Sequence, residues 1–229
     1  MTYFIVSDVH GFFDSMINAL DKAGYDQFNP DHIFVSLGDL LDRGSDTISC
    51  LTFVNSLPKE RKILIRGNHE VLLRECLDRG FCKRHDIYNG TAITVGELCQ
   101  ISARSNDEIF AAAKSNSAWL EYESQLIFFY ETPNYVFTHA WVPTQGDWKD
   151  PNNFLWHSAI WQNGMRLNHE GLNPTNKTVV CGHWHSAWGH YNYEDMLYDD
   201  YSPFIEKGII AIDAMTTRSG IVNCIKIED

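Results

Sequence analysis

Five short apolar runs in this chain are each followed directly by an Asp or His residue, or by a Gly that precedes an Asp, Asn or His. Amphipathic stretches long enough for one helix separate the first three runs, which predicts β-α-β units. Ligands in an α/β fold gather beyond the carboxyl ends of the strands, so the polar segments are predicted to converge on one site. The runs are 3–7, 32–37, 62–66, 135–138 and 178–181.

The polar segments that follow these runs carry carboxylate, amide and imidazole groups and no cysteine. Any one of them alone is more often a turn or a helix cap than a set of ligands. Five in succession, each just past an apolar run, favour a shared metal site. Donors of these types without thiolate favour Mn²⁺, with Fe or Zn²⁺ as alternatives. The segments are Asp8-Val9-His10, Gly38-Asp-Leu-Leu-Asp-Arg-Gly44, Gly67-Asn-His-Glu70, His139 and Gly182-His-Trp-His185.

The order of these motifs resembles that of the calcineurin-like metallophosphoesterases. Residues 38–44 and 66–70 are most similar to the phosphoprotein phosphatases and their small bacterial and phage members. The resemblance covers residues 3 to about 80 and returns at 135–143 and 178–185. It implies a four-layer α-β-β-α sandwich in which helices flank two mixed central sheets.

The resemblance also implies two divalent metal ions as cofactors, held close enough to clamp the attacking and leaving oxygens of a phosphoryl transfer. Asp39 would bridge the two ions. His185 is a ligand in the broader superfamily, whereas protein phosphatases usually lack it, so a wall or core position is its alternative. The implied ligands are Asp8, His10 and His185 on the first ion, Asp39 on both, and Asn68, His139 and His183 on the second.

The implied reaction is attack on phosphorus by a hydroxide that bridges the metals. His69 would act as the general acid that protonates the leaving oxygen, and Asp42 would orient the His69 imidazole and raise its pKa. Arg43 would bind the phosphate oxygens through its two-pronged guanidinium. Glu70 is expected to cap the helix that begins there, and Arg66 to brace the loop rather than bind phosphate.

The leading functional prediction is hydrolysis of phosphomonoesters, with phosphoserine, phosphothreonine or phosphotyrosine proteins as substrates. The alternative is a dinucleoside polyphosphate (diadenosine tetraphosphate) hydrolase. Glu70 mildly favours the phosphatase, because that hydrolase group more often has Asp there. A non-catalytic metal-binding module would be expected to have lost ligands, and every ligand position is intact.

Composition restricts the partners and the compartment. A net charge of −12 and the absence of a basic stripe argue against a dedicated nucleic-acid or anionic-membrane binder. No apolar stretch approaches the ~20 residues that a membrane span needs, and the N-terminus lacks signal-peptide features. Six cysteines without a C-x-x-C pair are typical of reduced thiols, so a cytoplasmic protein is expected. The oligomeric state stays open.

The 229 residues are expected to form a single catalytic domain, 1–229, with a loop-and-short-helix excursion at about 141–177. Six of the seven tryptophans lie between 141 and 188, where a satellite core is the commoner outcome and an aromatic wall for a substrate the alternative. Trp141, two residues after His139, is expected to line the site. Arg166 is the candidate for a second phosphate-binding arginine.

The remaining elements are predicted from periodicity and from residues that start or stop helices. Helices are expected at 14–23 with Asp14 as the N-cap, at about 45–57 and at about 70–79, with further helices between 81 and 124. Strands are expected at 125–130, 208–212 and 221–227, the last two as a hairpin or as neighbours in one sheet.

Overall fold

The computed structural model describes residues 1–191 and 199–229, and the strands in these ranges form two sheets. They are β1 (Thr2–Val6), β2 (His32–Ser36), β3 (Lys62–Leu64), β4 (Phe129–Glu131), β5 (Tyr135–Thr138), β6 (Thr178–Cys181), β7 (Phe204–Glu206), β8 (Ile209–Ala211) and β9 (Cys224–Glu228). The first sheet has the order β3-β2-β1-β9, with β9 antiparallel to β1 and the rest parallel. The second has the order β4-β5-β6-β8-β7, parallel except at its edge strands β4 and β7.

Helices and short 3₁₀ turns cover the outer faces of the sheets. The helices are α1 (Phe13–Ala23), α2 (Thr47–Ser56), α3 (Asn68–Arg79), α4 (Arg84–Tyr88), α5 (Thr91–Leu98), α6 (Asn106–Lys114), α7 (Ser117–Glu123), α8 (Trp156–Ala159), α9 (Gly164–His169) and α10 (Thr216–Ser219). The 3₁₀ turns are Lys59–Arg61 and Ser186–Trp188.

The apolar strands are explained by burial on both faces. In β1, Ile5 belongs to the core between the two sheets, together with Phe137 and Val180. Its neighbour Phe4 points the other way, into the core between the first sheet and the helices, which also contains Leu20. Because side chains alternate along a strand, a strand covered on both sides reads as a continuous apolar run. The resulting layers confirm the predicted α-β-β-α sandwich.

The helix ends differ from expectation in two places. The α1 helix begins at Phe13, and Asp14 lies inside the first turn, so Asp14 is not the N-cap. It ends as predicted at Gly24, which has a φ of 82°. The α3 helix begins at Asn68, two residues before the predicted start. That shift places Asn68 and His69 in the first turn of a helix, where backbone geometry fixes their directions.

The tryptophan-rich excursion forms a satellite core, as the commoner outcome predicts. Trp141, Trp148 and Trp156 are all buried within it, under the second sheet. The expectation that Trp141 lines the site was wrong: its indole is fully buried and donates a hydrogen bond to the Leu172 carbonyl. The Arg166 side chain, on α9, is 60% exposed and pairs with Glu170 just after that helix, so Arg166 is not placed as a second phosphate-binding arginine.

The C-terminal strands form neither a hairpin nor a neighbouring pair in one sheet, so that prediction was wrong. The β8 strand pairs with β6 in the second sheet, whereas β9 pairs with β1 in the first. Between them Met215 takes a φ of 51° and α10 carries the chain across the edge of the sandwich. The predicted strand 125–130 also shrinks to Phe129–Glu131, and Ile127 makes only an isolated bridge to Ile65.

Two further expectations concern cysteines and membranes. All six cysteines are free thiols, as expected. Among residues 1–191 and 199–229, no helix combines the length and the apolar character that crossing a bilayer requires.

Candidate metal centre

The polar segments converge at one edge of the sandwich. They follow β1, β2, β3, β5 and β6, whose carboxyl ends meet there, and most of their polar side chains line a cavity of about 50 Å³. Among the predicted site residues, Asp42 and His139 lie outside this lining, and both are fully buried. The lining residues are Asp8, His10, Asp39, Arg43, Asn68, His69, His183, His185, Asp213, Met215 and Thr216.

Backbone strain is concentrated in these segments. Eight non-glycine residues in the described part of the chain have positive φ, and six of them are predicted site residues. Left-handed backbone is unfavourable for residues with a Cβ and persists where the surroundings enforce it, commonly at functional sites. The six are Asp8 (50°), His10 (53°), Asp39 (52°), Asp42 (71°), Arg43 (69°) and His183 (64°).

Asp39 lies at the centre of the cluster, with its two carboxylate oxygens facing different imidazoles. Oδ2 is 4.0 Å from His10 Nε2, and Oδ1 is 3.5 Å from His139 Nε2. Two groups of side chains could each hold a metal ion, His10–Asp39–His69 and Asp39–His139–His183, and Asp39 is the member they share. A single carboxylate within reach of two such groups suits a bridging ligand.

His10 and His139 are oriented as metal-binding histidines are. Nδ1 of His10 lies 3.0 Å from the Leu41 carbonyl oxygen, and Nδ1 of His139 lies 2.8 Å from that of Leu37. A carbonyl only accepts, so Nδ1 carries the proton and Nε2 of the neutral ring keeps its lone pair. Nε2 of His139 then faces another acceptor, the Asn68 Oδ1, at 2.8 Å. Acceptors that face one another are satisfied by a cation, so these residues fit a divalent metal.

The glycines beside the predicted ligands allow two loops to approach closely. A Cβ on Gly38 would lie 2.5 Å from the Gly67 nitrogen, and one on Gly67 would lie 2.2 Å from an Asp39 carboxylate oxygen. Glu70 reinforces the same contact, because its carboxylate accepts hydrogen bonds from the backbone N–H groups of Gly67 and Asp39. The Tyr122 hydroxyl also donates to Glu70. Glu70 therefore has the structural role that its motif position predicted.

His69 is held by a buried acceptor. Its Nδ1 lies 2.8 Å from Asp42 Oδ2, which leaves Nε2 directed into the cavity. The Asp42 carboxylate, fully buried, also accepts hydrogen bonds of 2.7 Å from the hydroxyls of Thr91 and Thr94 on α5. The Arg43 Nη2 lies 3.3 Å from His69 Nε2, so the guanidinium and the imidazole converge on one point.

Electrostatics distinguish His69 from His10 and His183. Burial, with the neighbouring His69 second, holds the pKa of His10 well below its usual range, and burial lowers the pKa of His183 to about 2. Burial also acts to lower the pKa of His69, but the Asp39 and Asp42 carboxylates outweigh it and raise that pKa overall. A neutral imidazole offers a lone pair to a metal, whereas a protonated one offers a proton.

Asp8 and His69 depart from the implied ligand grouping. The Asp8 carboxylate accepts hydrogen bonds from the Ser7 hydroxyl and from the His183 backbone N–H, and it stands outside both groups. His69 stands in the first group instead, since its Nε2 is 3.9 Å from Asp39 Oδ2. The bond from His69 Nδ1 to Asp42 and the raised pKa favour a proton donor over a ligand.

His185 and Arg66 are the two residues for which the sequence offered alternative roles. His185 lines the cavity but is in neither ligand group, and its Nε2 lies 3.8 Å from Asp213 Oδ2. The Arg66 guanidinium lies 5.4 Å above the centre of the Phe128 ring, and the Arg66 backbone N–H donates to the Ile127 carbonyl oxygen. These contacts brace the loop, as predicted.

We expect His185→Ala to lower the affinity of one metal ion by about 10- to 100-fold, whether His185 binds the ion or supports a ligand. Metal content after dialysis, measured by mass spectrometry, should fall towards one ion per chain, and activity should fall with it. His190→Ala is the matched control, because His190 contacts the Ser202 carbonyl outside the cavity. Full occupancy in His185→Ala would place the histidine in the cavity wall alone.

Sequence reasoning missed four residues that bear on the site. Asp213 follows β8, a strand parallel to β6, so the rule that selected the other five segments would have selected it too. Thr216 donates to the Asp8 backbone carbonyl. Thr91 and Thr94 hold Asp42 from across the fold, and no spacing in the sequence signals that contact.

Comparison with known proteins adds a family and a set of relatives. The sequence profile of the calcineurin-like phosphoesterases matches residues 1–187. The chain is 29% identical over 150 residues to the asymmetrical bis(5'-nucleosyl)-tetraphosphatase PrpE of Halalkalibacterium halodurans, covering 62% of this chain and 58% of that protein. It is 28% identical over 149 residues to the symmetrical bis(5'-nucleosyl)-tetraphosphatase of Vibrio vulnificus, covering 64% and 47%. The chain spans about half the length of these relatives.

Among solved structures, the cold-active protein-tyrosine phosphatase of a psychrophilic Shewanella is similar over 100% of this chain and 75% of that one. The TM-score is 0.60 at 16% sequence identity, so this likeness concerns the fold alone.

Proposed function

The chain belongs to the calcineurin-like phosphoesterases, a family of hydrolases, and from that premise we propose that it hydrolyses dinucleoside polyphosphates. The observation that carries the chemistry is Asp39, shared between two groups of metal-ligand atoms. The choice of substrate is supported by the relatives, which are bis(5'-nucleosyl)-tetraphosphatases. They favour the alternative named from the sequence over a protein phosphatase.

The proposed metal site comprises two divalent ions, most simply Mn²⁺. Ions bound there would neutralise charge on the phosphate oxygens and lower the pKa of a bound water. We assign the ligands as implied by the motifs, with Asp39 between the two ions. The lone pairs of His10 and His139, fixed by the Leu41 and Leu37 carbonyls, support their place in this set: Asp8, His10, Asp39, Asn68, His139, His183 and His185.

The remaining site residues act on the phosphate and on the leaving oxygen. The Arg43 guanidinium binds non-bridging phosphate oxygens and positions the phosphorus. The His69 imidazolium gives the proton on Nε2 to the departing oxygen, while Asp42 holds the proton on Nδ1 and the orientation of the ring. Asp42 is itself held by Thr91 and Thr94, which fix both of its oxygens.

A protein phosphatase is the second candidate, favoured by Gly67-Asn-His-Glu70, in which Glu rather than Asp closes the motif. The structure gives this Glu a bracing role behind Asp39, so its identity bears on the loop rather than on the substrate. A comparison of the two substrate classes therefore decides between the two candidate functions.

We expect Mn²⁺-loaded protein to hydrolyse diadenosine tetraphosphate with a kcat/KM at least about tenfold above that for phosphoserine and phosphotyrosine peptides. Chelation of divalent ions should abolish the reaction, and Mn²⁺ should restore it, because anionic substrate and buried carboxylates cannot otherwise approach each other. A phosphopeptide as the better substrate would replace the proposed function with the second candidate. Full activity in protein shown to be metal-free would refute the metal-dependent reaction.

A further inference from the structure

Three tryptophans form an exposed aromatic surface, here named the tryptophan face: Trp161, Trp184 and Trp188. Trp161 is 44% exposed and Trp188 52% exposed, while Trp184 is half-buried between them. The Trp184 and Trp188 rings lie 6.0 Å apart, and Trp184 Nε1–H donates to the Trp161 carbonyl at 3.4 Å. The other four tryptophans, at 119, 141, 148 and 156, are buried.

The tryptophan face adjoins the metal centre. The Trp161 ring centre lies 5.9 Å from that of His183 at 89°, and the Trp184 ring centre lies 6.3 Å from it. His183 is in the cavity lining and in the second ligand group. A substrate with its phosphate at that group therefore has tryptophan beside it. Trp184 packs partly against the satellite core, whereas Trp161 and Trp188 leave about half of their surface in water. Exposed apolar surface of this kind commonly marks a binding site.

We propose that the tryptophan face binds a nucleobase of the substrate, an inference that rests on the proposed function and names what recognises the nucleoside. The occupant follows from chemistry: bases stack on aromatic side chains whatever their sequence, because every base has a π-face. The segments that carry the three tryptophans, 150–165 and 178–206, contain no Lys or Arg. The chain on either side of each indole therefore supplies no cation, which suits a neutral planar ring rather than an added phosphate or an acidic peptide.

The first test compares substrates with and without a base. Trp161→Ala should raise the KM for diadenosine tetraphosphate by about 5- to 150-fold, the range expected for loss of one stacked base. It should leave kcat/KM for inorganic tripolyphosphate within about twofold, since that anhydride has no ring. Trp161→Phe should recover most of the affinity, and Phe154→Ala, which removes a 76% exposed ring outside the tryptophan face, should change neither substrate. Equal losses on both substrates would overturn the proposal.

The second test measures binding and does not depend on turnover. By calorimetry, the metal-loaded wild type should bind AMP at least about fivefold more tightly than ribose 5-phosphate, and Trp161→Ala should bind the two equally. If the wild type failed to hydrolyse diadenosine tetraphosphate but kept this preference, the proposed function would fall while base stacking stood. A preference that survives in Trp161→Ala, or phosphotyrosine bound as tightly as AMP, would overturn the nucleobase assignment.

Discussion

Asp39→Asn is expected to release both metal ions and to slow hydrolysis by at least about 10²–10³-fold, the loss typical of removing one essential electrostatic group. The substitution preserves size and the oxygen that accepts the His69 backbone N–H at 2.9 Å. It removes the negative charge that both ligand groups share. Metal content after gel filtration, together with the rate at saturating Mn²⁺, measures both effects.

The control is Asp31→Asn, which makes the same change at an exposed residue. Asp31 directly precedes the first residue of β2, at the end of the strand opposite to Asp39. It should alter neither metal content nor rate. A variant Asp39→Asn that kept one ion at full occupancy would show that Asp39 serves a single metal. Retention of both ions would remove it from the ligand set.

The sequence predicted the region of the site because one topological rule places it. In parallel sheets every strand leaves its carboxyl end at the same edge, so residues such as Asp8, Asp39 and Asn68 can be brought together without knowing any distance. The layers of the sandwich were implied by the family resemblance, and strand burial agrees with them. Burial on two faces makes a strand wholly apolar, and β1 shows that pattern over Phe4 to Val6.

The rule was not applied to Asp213, because the sequence prediction paired the strand before it with the wrong partner. A hairpin over 208–227 would have put residue 213 in a turn, remote from the site. Instead β8 lies parallel to β6, and Asp213 lines the cavity. Sheet membership depends on which edge is free after the rest of the fold has assembled, and local sequence does not record that.

Contacts between distant helices were beyond the sequence for a related reason. Thr91 and Thr94 are 49 and 52 positions from Asp42, and only the packing of α5 brings their hydroxyls to its oxygens. The number of tryptophans in the excursion likewise did not indicate which of them would be buried. Trp141 and Trp161 are the same residue type in one excursion, yet the first is fully buried and the second is 44% exposed.

The effect of His69→Asn should depend on the leaving group. General acid catalysis is typically worth about 10²–10⁴-fold, and it matters most when the departing oxygen is basic. On an alkyl phosphate or a phosphoserine peptide, the variant is therefore expected to lose about that factor in kcat. A nitrophenyl phosphate should lose far less, because its acidic phenol leaves without a proton. Rates on both substrates, with metal content measured in each sample, test this.

Neighbouring residues should give different patterns if His69 is the acid. Asp42→Asn should repeat the pattern more weakly, since Asp42 lies 2.8 Å from Nδ1 and acts only by orienting and charging the ring. Arg43→Ala should slow both substrates alike, because it binds the phosphate itself. His85→Asn, on the exposed side of α4, is the matched control and should change neither rate. Equal losses on the two leaving groups for His69→Asn, with both metals retained, would show that His69 binds phosphate or water and does not supply the proton.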